Sequence, residues 1–142
     1  MSLLSGSFAY VDKSYKARLE SPLLPWKPFH QSVGVCLRFS YLMPTKSKSN
    51  LKVFLRDTKR EISVLVWQMV GYHGKEWSDA QVAWPGAVGI KIIFEGEGFL
   101  DDEMNVAIDN VTVTTENCSL RPYFAEPGTD SLLLSLVFDK LS

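Results

Sequence analysis

Apolar and polar residues alternate along much of this chain with a period of two, the spacing of a strand with one buried face. In Val35-Cys-Leu-Arg-Phe-Ser-Tyr-Leu-Met43 the odd positions Val35, Leu37, Phe39, Tyr41 and Met43 are apolar or aromatic, while Arg38 and Ser40 face the other way. Leu51-Lys-Val-Phe-Leu-Arg56 repeats the pattern with Leu51, Val53 and Leu55 inward, and Val88–Glu95 does so with Val88, Ile90, Ile92 and Phe94. Ile62–Met69 is apolar on both sides, which predicts a central strand covered on both faces. No window of a dozen residues has a 3.6-residue period with caps, so no helix is expected.

The segments between these runs read as turns. Pro44–Asn50 is polar and led by proline, Arg56–Glu61 is a charged hairpin loop, and Gly71–Asp79 and Gly96–Glu103 are loops carrying glycine. Short strands separated in this way predict an all-β, antiparallel sandwich or barrel. One strand changes phase: Met104, Val106 and Ile108 define an even-numbered face, and after Asn110 the apolar positions are Val111 and Val113. A β-bulge at Asp109-Asn110 accounts for the change, either re-aiming side chains into a site or only bending the strand.

Composition narrows the function classes. With 15 basic and 16 acidic side chains in 142 residues, the net charge is -1, and no basic excess exists to neutralise a phosphate backbone; nucleic acid is not an expected partner. Two cysteines exclude a four-cysteine zinc site and a disulfide-dense miniprotein. Met1–Tyr10 has neither the basic start nor the apolar core of a signal peptide. The apolar run Leu132–Phe138 falls far short of the about 20 residues that span a bilayer.

Catalytic chemistry is not evident. His30 and His73 stand alone, and His73 reads as a solvated loop residue. Cys36 lies mid-strand among apolar neighbours, poorly placed for a reactive thiolate, and no Gly-x-Ser-x-Gly elbow occurs. Glu95-Gly-Glu97 would repel phosphate, and the two glutamates alternate with glycines on one short segment, whereas a glycosidase pair flanks a cleft about 5–9 Å wide. Asp101-Asp102-Glu103 reads as a solvated acidic turn. Two sequons, Asn110-Val-Thr112 and Asn117-Cys-Ser119, matter if the chain enters the secretory pathway; Asn117, at the strand exit, is the better acceptor on exposure grounds.

The ordered motifs Cys36–Met43, Leu51–Arg56, Val66-Trp-Gln-Met-Val-Gly71, Gly74-Lys-Glu-Trp77, Ile92-Ile-Phe-Glu-Gly96 and Val106–Val113, closing at Cys118, resemble a MAM domain. This is the extracellular module of meprins, neuropilins and some receptor tyrosine phosphatases. Ala17-Arg-Leu-Glu-Ser-Pro22 looks like the family's segment before its central cysteine. The resemblance covers about residues 6–118. It implies a two-sheet antiparallel jelly roll and a non-catalytic extracellular module of a cell-surface or secreted protein, acting in adhesion or receptor association. A protein partner, a like domain among them, is implied, with membrane attachment only through a parent protein. Cys36 and Cys118 match the family's later, disulfide-linked pair, so their Cα atoms should lie about 4.4–6.8 Å apart.

Departures from the family pattern carry expectations too. The family's first cysteine pair and earliest strand have no counterpart, so residues 1–118 are expected to form an N-terminally incomplete module with an uncovered edge or apolar groove. Residues 119–142 fall outside the module; Leu132–Phe138 either covers that groove or frays. The usual Asp-Asp of the late strand is here Asp109-Asn110, and neither a metal nor a cofactor is expected. The alternative function is a carbohydrate-binding jelly roll, with Trp26, Tyr72 or Trp84 stacking on sugar rings.

Overall fold

The structure is a computed structural model and describes residues 9–11, 16–24, 34–46, 48–86, 88–98 and 104–127. Among these lie eight strands: β1 (Ala9–Val11), β2 (Lys16–Glu20), β3 (Gly34–Leu42), β4 (Asn50–Asp57), β5 (Ile62–Val70), β6 (Ser78–Pro85), β7 (Ile90–Glu97) and β8 (Val106–Thr114). They form two four-stranded sheets, ordered β1-β8-β3-β6 and β2-β7-β4-β5. Every observed pairing is antiparallel. All connections but the β4–β5 hairpin cross from one sheet to the other, which is the topology of a jelly roll.

The core lies between the sheets. Val35, Leu37, Phe39 and Tyr41 of β3 face Leu51, Val53 and Leu55 of β4 and Ile90, Ile92 and Phe94 of β7, the sets that the alternation assigns. Aromatic rings bind the layers together. Phe39 meets Trp67 edge-on at 4.9 Å between centroids and Phe94 at 5.2 Å, and Tyr41 meets Trp67 at 5.3 Å. Such edge-to-face pairs each contribute about 0.5–1.5 kcal/mol beyond the area they bury.

β5 departs from the expectation of a central strand: it lies at the edge of its sheet. Its apolar residues on both sides have another cause. Val53 pairs with Trp67 and Phe54 with Leu65, so Val66 is an extra residue with no partner opposite. This bulge switches the inward phase from Val64 and Val66 to Trp67 and Met69, all four buried, while Ile62 and Val70 are exposed. The alternation was therefore broken by a bulge and was not a sign of two covered faces.

The phase change in β8 is present, one residue along from the expected Asp109-Asn110. Arg38 pairs with Thr112 and Ser40 with Asp109, leaving Asn110 and Val111 opposite Phe39 alone. Asn110 adopts φ 52°, the left-handed region that asparagine tolerates better than most residues. Val113 returns to the core, but Val111 remains exposed.

β1, β2 and β6 were not recognisable as strands. β1 has three residues, and β2 offers only Ala17 and Leu19 to a pattern. β6 does alternate, with Ala80, Val82 and Trp84 buried, yet its small and polar residues blend into the preceding loop, which ends at Trp77 and not at Asp79. β7 also runs on to Glu97, into residues that read as loop. Gly71 and Gly74 in the β5–β6 loop take φ 83° and 92°, a conformation that glycine adopts without steric cost.

Cys36 and Cys118 form a disulfide with Cα atoms 5.8 Å apart at a sequence separation of 82. Closing a loop of that size restricts the unfolded chain by about 4–5 kcal/mol on the chain-entropy account.

Packing does not stop at Cys118. Arg121 forms a backbone bridge with Gln81 on the outer edge of β6, its carbonyl accepts the Trp67 indole N–H at 3.0 Å, and Leu120 packs against the core. A short 3-10 turn, Tyr123–Ala125, then places Ala125 in the core with no exposed surface. Residues 119–127 thus strap the open side between the edge strands β5 and β6. Leu132–Phe138, the segment expected to cover a groove, lies outside the described residues.

A chain ending at Cys118 should therefore be less stable than one ending at Pro127. It orphans the buried Trp67 N–H and uncovers the β6 edge, a loss of about 2–4 kcal/mol. Urea unfolding followed by tryptophan fluorescence measures it; equal midpoints would show that the strap contributes nothing.

Candidate interaction surfaces

The sandwich presents three distinct surfaces, and the first is the end formed by the β5–β6 loop and the 3-10 turn. Val70 is 58% exposed, Tyr72 44%, Phe124 54% and Tyr123 83%. His73 anchors the group: its backbone N–H donates to the Met43 carbonyl at 3.0 Å, and its Nε2 lies 2.9 Å from the Val70 carbonyl. The Phe124 ring stacks on the imidazole at 6.1 Å, and Tyr123 meets Phe124 edge-on at 5.4 Å. Aromatic side chains held this way offer contact area at little further cost in conformational entropy. The patch adjoins β5, which among the described residues pairs only with β4, so its outer backbone groups face outward.

The second surface is the outer face of the β1-β8-β3-β6 sheet. A cavity of about 310 Å³ opens there, lined among others by Arg38, Ser40, Asp79, Gln81, Asn110 and Arg121. The Ser40 hydroxyl donates to Asp79 at 3.2 Å, and Gln81 Nε2 donates to the Ser119 carbonyl at 2.8 Å. Beside the cavity, Arg38 donates to Thr114 Oγ1 at 3.1 Å and to Glu116 at 2.5 Å. The Thr114 hydroxyl donates to the same carboxylate at 2.8 Å. This clamp precedes Cys118 by two residues and fixes the approach to the disulfide.

The outer face of the β2-β7-β4-β5 sheet is the third. Glu95 is buried there, 2.7 Å from Arg18 Nε and 3.7 Å from Lys16 Nζ, both on the neighbouring strand. Its charge is thereby matched in place, the condition under which a carboxylate tolerates burial. Glu97 lies two residues along the same strand, so the pair forms no opposed acid and base.

The sequence-derived candidates fall as follows. Cys36 and Cys118 meet in the disulfide. Asn110 stands at the β8 bulge beside the cavity. Asn117 lies in the segment between β8 and the disulfide, its side chain against Gly34, where any Cβ would overlap it. Trp84 is 3% exposed, so it faces the core and is not available to stack on a sugar; Tyr72 is exposed. Trp67 fills the core as a plug, whereas Trp77 is 41% exposed. Among the described residues no group of three or more His, Cys, Asp or Glu side chains is gathered for a metal ion. Trp26, His30 and Asp101–Glu103 lie outside the described residues. Tyr123 and Phe124 were missed because they follow Cys118; adjacent aromatics after Arg121-Pro122 were the available signal.

The family profile described as MAM domain, meprin/A5/mu matches residues 2–119, and the chain belongs to that family. It is similar to MAM domain-containing glycosylphosphatidylinositol anchor protein 1 of Gallus gallus, 34% identical over 108 residues, which are 75% of this chain and 11% of that protein. It is also similar to receptor-type tyrosine-protein phosphatase U of Gallus gallus, 25% identical over 130 residues, 87% of this chain and 9% of that protein. The anchor protein 2 of Homo sapiens is 27% identical over 143 residues, 93% of this chain and 15% of that protein. The chain thus spans a small fraction of the length of these relatives. No helix among the described residues is long and apolar enough to cross a membrane.

The clamp before the disulfide has a titration signature. The Thr114 hydroxyl and then the Arg38 guanidinium hold the Glu116 carboxyl below the ordinary glutamate value of 4.5. A lowered folded-state value stabilises the fold above the unfolded value, and that contribution disappears as pH falls through the folded one. Carboxyl NMR titration should therefore give Glu116 a midpoint below 4.5. Arg38→Ala should raise it; an unchanged midpoint would dissolve the clamp.

Proposed function

We propose that this chain is a non-catalytic extracellular interaction module that acts in adhesion or receptor association by binding another protein, a like domain included. One observation carries the reading: the exposed aromatic group of Tyr72, Tyr123 and Phe124 beside the open edge of β5. Protein interfaces are enriched in aromatics at their centres, and an unpaired strand edge adds main-chain hydrogen-bonding capacity. The relatives named as receptor-type and glycosylphosphatidylinositol-anchored proteins support a cell-surface setting, and the disulfide supports an oxidising one.

The test is association of the full chain, by sedimentation velocity for self-binding and by capture on cells for other partners. Tyr123→Ala/Phe124→Ala should keep the fold, because both rings are exposed, and weaken binding at least about tenfold, the effect of losing 1.4 kcal/mol or more at a hot spot. Unchanged binding would move the contact elsewhere. Saturable binding on a glycan array, with no protein association, would replace this reading with a carbohydrate-binding one.

A further inference from the structure

The two sequons differ in what the fold has done with their side chains. Both asparagines are exposed, but Asn117 is held with its Oδ1 against Gly34, and the next residue is tied to Cys36. Asn110 is placed by the β8 bulge. Val106 and Ile108 point into the core, so in an unbroken strand Asn110 would follow them inward opposite Phe39. The extra residue and the left-handed φ of 52° turn Asn110 out instead. Its backbone N–H is held by Asp109 Oδ1 at 2.8 Å. Its side-chain nitrogen reaches Ser40 Oγ only at 3.5 Å, too long for a strong hydrogen bond. The amide is therefore exposed, weakly engaged and at the rim of the cavity of about 310 Å³.

We propose that Asn110 is the N-glycosylated residue of this chain and that the first sugar seats in the cavity on the outer face of the β1-β8-β3-β6 sheet. The inference rests on the extracellular reading above. The donor is a lipid-linked oligosaccharide pyrophosphate. Asn110 Nδ2 bonds to the sugar C1, the C1–O bond to pyrophosphate breaks, and the lipid pyrophosphate leaves with the electron pair while the amide gives up one proton. Thr112 completes the acceptor sequon and is exposed on the same strand.

The cavity suits a sugar ring edge. Its lining residues include Arg121, whose side chain can only donate, and Asp79 and Gln81, whose carboxylate and Oε1 can accept, so hydroxyls of either role have a partner type there. A glycan there shields this face and leaves the aromatic end of the sandwich free for protein contact.

The experiment expresses the full chain behind a cleavable signal peptide in mammalian cells. Occupancy is read by glycopeptide mapping on chain shown by protease protection to have reached the lumen. Asn110 should carry the glycan, Thr112→Ala should lose it and Ser119→Ala should keep it. Enzymatic release from the folded chain should be about tenfold slower than from the denatured chain, the scale of one or two net hydrogen bonds, and Gln81→Ala/Arg121→Ala should shorten that delay. A translocated chain with Asn110 bare overturns the site, and equal release rates overturn the seat. Either result leaves the association assay intact, while a glycosylated chain that fails to associate counts against the interaction reading alone.

Discussion

Trp67 is the contact on which the rest of the molecule depends. Its ring meets Phe39 and Tyr41 of the opposite sheet, and its indole N–H donates to the carbonyl of Arg121. One side chain thus joins both layers and the strap that follows the disulfide. A partner stabilises a buried indole N–H, and Trp67 has one where the equally buried Trp84 has none among the described residues. The Arg121 carbonyl is that partner and draws residues 119–125 across the open side of the sandwich. Ala125 enters the core behind it, and the aromatic pair Tyr123 and Phe124 is left outside, against His73. The exposed patch is therefore a consequence of how the core is closed.

Two bulges do opposite things to the same alternating pattern. In β5 the extra Val66 turns Trp67 inward, away from the solvent-facing position that strict alternation would give it. In β8 the pair Asn110 and Val111 opposite Phe39 turns Asn110 outward, away from a position that alternation would bury. Each bulge costs a ladder position. The first is offset by burial of a tryptophan, the second by placing an amide side chain in solvent that would otherwise have been desolvated without partners.

The surfaces differ in kind as well as in place. The outer face of the β2-β7-β4-β5 sheet matches its buried Glu95 with Arg18 and Lys16. The opposite face is polar and concave. The end of the sandwich is aromatic and adjacent to an unpaired edge. A binding module needs such a division, because a partner gains little from surfaces whose groups are already satisfied within the domain. The long disulfide loop ties β3 to the segment after β8, so the scaffold under these surfaces is held even where strand edges are open.

The sequence by itself determined the fold class, the inward faces of β3, β4 and β7, the phase change in β8 and the family, because period-two burial is local and leaves a readable trace. The Cys36–Cys118 pairing was legible only through the family resemblance. What it hid has a common physical cause. The edge position of β5, the buried state of Trp84 and the core role of residues 119–125 depend on which elements meet across the sandwich. A run of apolar residues reads alike whether two faces are covered or a bulge has shifted one face, and no local pattern marks the difference. Likewise, Tyr123 and Phe124 became a surface only when the Arg121 carbonyl found the Trp67 indole, 54 residues earlier in the chain.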